Sequence, residues 1–350
     1  MNDKVRWGVL GVAKIAVEKV IPAMQAGANC QVTAIGSRDL RKAKTAAEQL
    51  SIPKPYGSYE ELLADDEIDA IYNPLPNHLH VPWSIRAAEA GKHVLCEKPI
   101  GMSVNEARSL LDARNRTGVK IQEAFMVRTH PQWIGARDLV MQGRIGELVS
   151  MAGYFSYFNR DANNIRNISE YGGGALMDIG CYLIHTSRFI FGRKPNRVSA
   201  LIDRDPEMEI DHLTSFIMDF ATDNLAGGDS STAKRTGRHS IGTCSTQAAP
   251  YQRVQIVGTR GRIEIEVPFN APPNRPCRIF VDDGSSLFGK GVEVVEFPVC
   301  NQYTIQGDLF SKAIRGDGEQ AVSVEDSIEN MEVIEAVFRS AKSGAWERCS

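Results

Sequence analysis

No run of apolar residues in the 350-residue chain reaches the ~18 that a membrane-crossing helix requires. The opening Met1-Asn2-Asp3-Lys4 leads straight into "VRWGVLG", without the charged and apolar regions of a signal peptide. A membrane partner and an export signal are therefore not expected, and the expected compartment is cytoplasmic. An excess of positive charge is missing too. The formal net charge is −3, so nothing draws the chain over long range to the phosphate backbone of a nucleic acid. The seven cysteines, Cys30, Cys96, Cys181, Cys244, Cys277, Cys300 and Cys349, are odd in number and contain no C-x-x-C pair. They signal neither a disulfide framework nor a zinc site and read as reduced, mostly buried thiols. No internal repeat or low-complexity segment is visible. What is there is a globular composition, 43% hydrophobic and 24% charged, in a chain too long for one ordinary core, so two domains are expected.

Residues 5–10 are short and apolar, as suits a strand buried on both faces. A helical pattern follows from Lys14 to Ala26, then a strand at Cys30–Gly36 and helices at Leu40–Leu50 and Tyr59–Ala64. "IDAIYNPLP" reads as a strand stopped by prolines, "VPWSIRAAEAG" as a helix ending at Gly91, and "KHVLCE" as the next strand. Strands alternating with helices in this way predict an α/β fold, a doubly wound parallel sheet of the Rossmann type, over residues 1–123. Farther on, "LVSMAGYFSYF", "RVSALIDR", "LTSFIMDFATD", "LAGGDSS", "RVQIVGTRGRIEIEVPF", "RIFVDD" and "VEVVEFPV" follow one another as strands. They predict an α+β second domain, residues 124–350, with a large, mostly antiparallel sheet. Amphipathic segments at Tyr303–Arg315 and Val324–Ser343 close the chain.

"GVLGVAKIA" puts Gly11 where the first strand turns into a helix, the place of a dinucleotide fingerprint. The string is Gly11-x-Ala13-x-x-Ala16 rather than G-x-G-x-x-G. Alanine at the third place still permits close helix–strand packing, whereas alanine at the second departs from the residue that lets the backbone approach a pyrophosphate. Gly11, Val12, Ala13, Lys14 and Ile15 form the candidate phosphate-binding turn; the plain alternative is a packed strand–helix turn. The second strand ends in Gly36-Ser37-Arg38, where an NAD site usually carries an acidic residue. The hydroxyl of Ser37 and the guanidinium of Arg38 suit a 2′-phosphate instead, so NADP is favoured over NAD. Asp39, one residue on, keeps dual use open, and the alternative for Arg38 is a solvated side chain.

Asp178, Tyr182 and His185 stand at i, i+4 and i+7 and share one face if their stretch is helical, with Gly172-Gly173-Gly174 in front to let the backbone approach a ligand. A hydrogen-bonded core patch is the plain reading of the same spacing. Arg128 in "MVRTHPQ" is placed either to bind a substrate hydroxyl or to bridge the domains in an ion pair. His78 and His80 form a His-x-His pair with no further ligand to complete a site, so no metal is expected. The basic run 233–239 and the acidic 64–69 read as solvent-facing.

Gly11, Ser37-Arg38, "YNPLPNHLH" and "CEKPIG" in that order, followed by "EAFMVRTHPQ" and "GGGALMDIGCYLIH", resemble the glucose–fructose oxidoreductase, inositol dehydrogenase and MocA (Gfo/Idh/MocA) family over nearly the entire chain. The likeness is greatest to the branch holding pyranose and xylose dehydrogenases and dihydrodiol dehydrogenases. The resemblance implies that Lys98 reaches the reacting carbon, that Glu97 and Pro99 shape the turn around it with a cis bond before the proline, and that Pro74, Asn77 and His80 belong to the cofactor site. It also implies a homodimer or homotetramer built on the open face of the second sheet.

Oxidising a sugar hydroxyl requires a group within hydrogen-bond reach to take its proton. Lys98 alone is an awkward base with a reference pKa of about 10.4, and Tyr182 starts near 10, but a lysine cation favours a neighbouring phenolate. The expected roles are Tyr182 as proximal acid/base, Lys98 as its tuner, Asp178 orienting the sugar or polyol and His185 holding a further hydroxyl; direct base action by a neutral Lys98 stays open. The expected activity is an NADP-dependent dehydrogenase oxidising a cyclic aldose such as D-xylose to a lactone. The alternatives are a reductase of a carbonyl sugar, a trans-dihydrodiol dehydrogenase, or a non-catalytic NADP-binding sensor.

Overall fold

A computed structural model describes residues 4–224 and 234–350. The strand expected at 225–231 and the first residue of the basic run, 233, lie outside the described residues. The chain divides into two compact units, one made of Met1–Thr129 and Cys300–Met331, the other of His130–Val299 and Glu332–Ser350.

The first unit is built on six parallel strands: β1 (Val5–Leu10), β2 (Cys30–Gly36), β3 (Lys54–Tyr56), β4 (Ala70–Asn73), β5 (His93–Cys96) and β6 (Ile121–Glu123). Their spatial order is β3-β2-β1-β4-β5-β6, with every pair parallel. This is the dinucleotide-binding order, whose reversal falls between β1 and β4, and ligands bind outside the carboxyl ends of strands at such a point. Gly11, Ser37, Pro74 and Glu97 each follow one of those carboxyl ends. Helices α1 (Ile21–Gln25), α2 (Leu40–Leu50), α3 (Tyr59–Leu63), α4 (His80–Glu89) and α5 (Val104–Thr117) connect the strands. Sequence patterning leaves α5 out, because its apolar stripe is thin; the capping pair Ser103 and Glu106, whose N–H the serine hydroxyl accepts at 3.2 Å, is the signal that marks its start.

The single domain cut expected at residue 123 needs correction. Helix α8 (Gln302–Arg315) belongs to the first unit: Phe310 packs on Trp7 with ring centroids 6.0 Å apart, and the Trp7 indole donates to Ser311 Oγ at 3.1 Å. Gln320 then donates to the Ile121 carbonyl at 2.7 Å, beside the last strand. Trp7 and Phe310 are almost wholly buried, and burying a side chain of that size is worth about 1.5–3 kcal/mol. The division falls within α9 (Val324–Ser343).

The second unit holds β7 (Leu148–Phe158), β8 (Arg197–Arg204), β9 (Asp211–Asp219), β12 (His239–Ser245), β13 (Gln247–Gly258), β14 (Arg262–Ile265), β15 (Cys277–Asp282), β16 (Val292–Phe297) and β17 (Glu347–Arg348) in one sheet of order β16-β15-β14-β13-β7-β12-β9-β8-β17. The short β10 (Thr222–Asn224) and β11 (Lys234–Thr236) pair separately. All neighbours in the large sheet are antiparallel except β7 and β12. The run expected as one strand at 253–269 is instead a hairpin, β13 and β14, turning where Gly258 N–H meets the Gly261 carbonyl at 2.9 Å. Helices α6 (Pro131–Met141) and α7 (Cys181–Phe191) lie along one face. The opposite face leaves Leu201, Ile241 and Tyr251 exposed.

Candidate active site

In the first unit, Gly11 takes φ +82°, and a Cβ there would meet Leu75 at 3.1 Å and the Tyr59 hydroxyl at 3.5 Å. Its N–H donates to the Gly36 carbonyl at 2.7 Å, which laces the turn after β1 to the end of β2, and Ser37 N–H donates to the Tyr56 carbonyl of β3 at 3.1 Å. Val12, Ala13 and Ile15 are half-buried, Lys14 is exposed, and Ala16 is fully buried at the third fingerprint place. The helix expected over Lys14–Ala26 is not regular: Ala16–Val20 widens into a π turn before α1. Such turns recur at functional sites. Asp39 caps α2 by accepting Arg41 N–H at 3.0 Å, and that bond holds its pKa below the usual value.

The Lys98 loop is fixed from several sides. Glu97 accepts the Tyr72 hydroxyl at 2.7 Å and the Lys98 N–H at 3.3 Å. The Lys98–Pro99 bond is cis. Ile100 N–H donates to buried Glu123 at 2.8 Å. His80, 1% exposed, sets one ring nitrogen 2.7 Å from the Pro99 carbonyl and the other 2.6 Å from that of Leu75. Burial pushes its pKa down to about 4, against the pull of the two carbonyls. His80 therefore ties the loop after β4 to the loop after β5, and its ring is not turned out for a ligand as the expected cofactor role requires. Pro74 is buried and Asn77 half-buried in that β4 loop, while Lys98 is half-buried in the other. Arg128 pairs with Asp326 of α9 at 3.9 Å. Both partners belong to the first unit, so this pair does not bridge the two units.

In the second unit, Asp178 sits in another π turn, Leu176–Gly180, which leads into α7 with Tyr182 and His185. One carboxylate oxygen of Asp178 accepts the Tyr157 hydroxyl at 2.6 Å, and the other accepts Arg166 Nε at 3.1 Å. Tyr182 packs edge-on against Phe155 at 6.0 Å and tilted on Phe269 at 5.6 Å. Phe155 and Tyr157 are two residues apart on β7 and so point to one face. The expected shared face is thus real for Asp178 and Tyr182, which lie along a single stripe of β7. His185 is buried to 1%, against 5% for Tyr182 and 9% for Asp178. Burial, with Asp178 adding to it, pushes the Tyr157 phenol above its usual range, so Tyr157 stays protonated and donates.

Sequence reasoning missed Tyr157 and Arg166, which hold Asp178, and Asp211, which starts the helix. Asp211 accepts Leu176 N–H at 2.7 Å and the Thr214 hydroxyl at 2.8 Å. Gly174, at φ +114°, passes so close that a Cβ would lie 1.9 Å from an Asp211 oxygen. Gly173 is also close-packed, its absent Cβ 2.5 Å from the Arg166 carbonyl. Gly173 and Gly174 therefore serve packing within this segment.

Residues 5–125 match an oxidoreductase family with an NAD-binding Rossmann fold, Gfo/Idh/MocA, and residues 133–264 match the C-terminal domain of the same family. An uncharacterised oxidoreductase of Rhizobium meliloti is 46% identical over 99% of both chains. The D-xylose 1-dehydrogenase (NADP(+)) 2 of Haloferax volcanii is 37% identical over 97% of this chain and 98% of its own. Among solved structures, KijD10, a 3-ketoreductase from Actinomadura kijaniata in complex with NADP and TDP-benzene, superposes with a TM-score of 0.85 at 28% identity, over 96% of this chain and 98% of that one. By motif, fold and match across both units, the chain belongs to the Gfo/Idh/MocA family of oxidoreductases.

Proposed function

We propose that the protein is an NADP-dependent oxidoreductase that moves hydride between the nicotinamide and a hydroxyl-bearing carbon of a cyclic sugar, an aldose such as D-xylose or a related pyranose, giving a lactone. The observation that carries the reading is the Asp178–Tyr182 stripe on β7, together with the tied-down loop that ends in Lys98. The turn at Gly11 suits a pyrophosphate because its φ of +82° strains any residue with a side chain and keeps the backbone open to close approach, and Ser37 and Arg38 would take the 2′-phosphate, with Asp39 turned into its own helix. When bound, the nicotinamide accepts hydride from the sugar carbon or returns it.

The chain's residues handle the proton. Tyr182 takes it from the reacting hydroxyl, and its ring is held for that task by Phe155 and Phe269. Lys98 favours the phenolate and contacts the same oxygen. Asp178, held by Tyr157 and Arg166, orients a neighbouring sugar hydroxyl, and His185 serves a further one. Solved forms of KijD10 include substitutions of a lysine and of a tyrosine that stand 84 residues apart in that chain, and Lys98 and Tyr182 have the same separation. In the reverse direction Tyr182 gives the proton to a carbonyl oxygen, a reading favoured by the likeness to a 3-ketoreductase. We take the sheet face exposing Leu201, Ile241 and Tyr251 as the association surface of a dimer or tetramer, which sedimentation of the wild type and of Leu201→Glu tests.

A spectrophotometric screen of aldoses, inositols and dihydrodiols, with NADP and NAD side by side, tests the activity. NADPH formation with a pyranose is the expected result. Tight NADPH binding with no turnover of any of these, in either direction, contradicts it and favours the sensor.

A further inference from the structure

The amino ends of the first unit's parallel strands frame a cleft of about 520 Å³, walled by the starts of β1 and β5, the turn before β4 and the end of α8. Nucleotides bind such sheets at the carboxyl ends, and β1 separates the cleft from Gly11 by about 20 Å. Lys92, which lines it, is 6% exposed. A lysine buried to this degree normally faces an opposite charge, but the oxygen that holds the Lys92 ammonium is the Asp65 carbonyl, at 2.8 Å. Lys4 repeats the pattern on the Gly27 carbonyl at 3.0 Å. Of the two lining carboxylates, Asp69 is taken up by Arg6, accepting from its guanidinium at 2.6 and 3.0 Å and from its N–H at 2.8 Å, while Asp66 stands exposed. His93 Nδ1 accepts Lys120 N–H at 2.9 Å, and burial lowers the pKa of the ring, so the neutral imidazole carries its proton on Nε2 as a donor. Arg315 is anchored to Asn29 at 2.7 Å and stands 3.4 Å from Asp317.

We propose that this cleft is a second binding site, for phosphate, free or as the monoester of a small molecule, held by the ammonium groups of Lys92 and Lys4 with His93 as a further donor. The proposal is independent of the hydride-transfer reading. The two carbonyls orient the ammonium groups without cancelling their charge, and each ammonium has three N–H donors, so both can reach phosphate oxygens in charge-assisted bonds. At a half-enclosed site that attraction is stronger than in bulk water. Val5, Ile68 and Ile314 supply an apolar wall for the organic part of an ester, and the volume is that of a small-molecule site. Asp66 at the rim opposes an anion, which gives the test its sign.

The test is calorimetric binding of glycerol 3-phosphate, inorganic phosphate and glycerol to the full-length protein, with and without saturating NADP, for wild type, Lys92→Met and Asp66→Asn. Both phosphates are expected to bind and glycerol is not, with affinity falling as salt rises; the tighter of the two phosphates identifies the source of the group. Lys92→Met keeps the apolar stem and lowers phosphate affinity about ten- to hundredfold, the scale of a charge-assisted hydrogen bond. Asp66→Asn, at an exposed position where folding is not at stake, raises it about two- to fivefold, the scale of one exposed charge. NADP leaves the binding unchanged. Phosphate binding that NADP abolishes belongs to the nucleotide end and overturns the proposal. So does the absence of phosphate binding in the wild type, or an affinity that neither substitution moves.

Discussion

Asp211 is a carboxylate with 2% exposure at the start of the segment that carries Asp178, and it offers a sharp test of how that segment is held. Burial raises its pKa from an ordinary 3.8 to about 6, although Leu176 N–H and the Thr214 hydroxyl favour the charged form. The rise corresponds to about 3 kcal/mol of pH-dependent stability. Its sign follows from which state holds the proton longer. Below pH 4 both folded and unfolded chains carry it; between about 4 and 6 the folded chain binds more protons, so this contribution is lost as pH rises through 6. Asp211→Asn does not titrate, and its carbonyl oxygen still accepts from Leu176 and Thr214. The stability difference between variant and wild type should therefore move in the variant's favour by up to about 3 kcal/mol between pH 4 and pH 7.5. Guanidinium unfolding of both proteins across that range measures it. A difference that stays constant with pH refutes the picture of a buried carboxylate whose ionisation is opposed by desolvation.

Two further substitutions probe the same corner. Tyr157→Phe removes the 2.6 Å donor to Asp178, and a hydrogen bond to a charged group is worth about 1.5–3 kcal/mol. Steady-state kinetics should show kcat/KM down about ten- to hundredfold with NADPH affinity unchanged; an unaltered kcat/KM would mean that Asp178 does not need this donor. Gly174→Ala puts a Cβ against Asp211 at a φ of +114°, combining backbone strain with overpacking at about 1–3 kcal/mol each. Thermal melting of the variant should fall by several degrees, and a melting point equal to wild type would show that the glycine is not required there.

The Rossmann half was legible because its central strands are mostly apolar and are followed by glycines or prolines, so β1, β2 and α2 appear in the structure with the expected bounds. β12 was not legible. Its inward residues are Ser240, Gly242 and Cys244, and its apolar Ile241 faces out, so no alternation marks it. They are small because neighbours come close: a Cβ on Gly242 would touch Phe216 at 2.4 Å, and one on Gly180 would meet Cys244 at 2.8 Å. The return of residues 300–331 to the first unit was hidden for another reason, since an amphipathic helix shows that it packs but not against what. At the site, spacing revealed Asp178 and Tyr182 because both lie on one helical segment. Tyr157, Arg166 and Asp211 bond to that segment from strands and turns 12 to 35 residues away, which no local pattern displays. Asp211 stands at the first position of a strand, where a lone aspartate reads as a solvated turn.

The central claim is that Lys98 and Tyr182, which the fold carries on separate units, work on one carbinol. Turnover of Lys98→Met, Tyr182→Phe and the double variant, with NADPH affinity measured alongside, tests it most directly. Residues acting as one unit are strongly non-additive, so each single change should lower kcat steeply, the double should be little worse than either, and NADPH should still bind. Losses that multiply in the double variant, or near-normal turnover in either single one, would contradict the account.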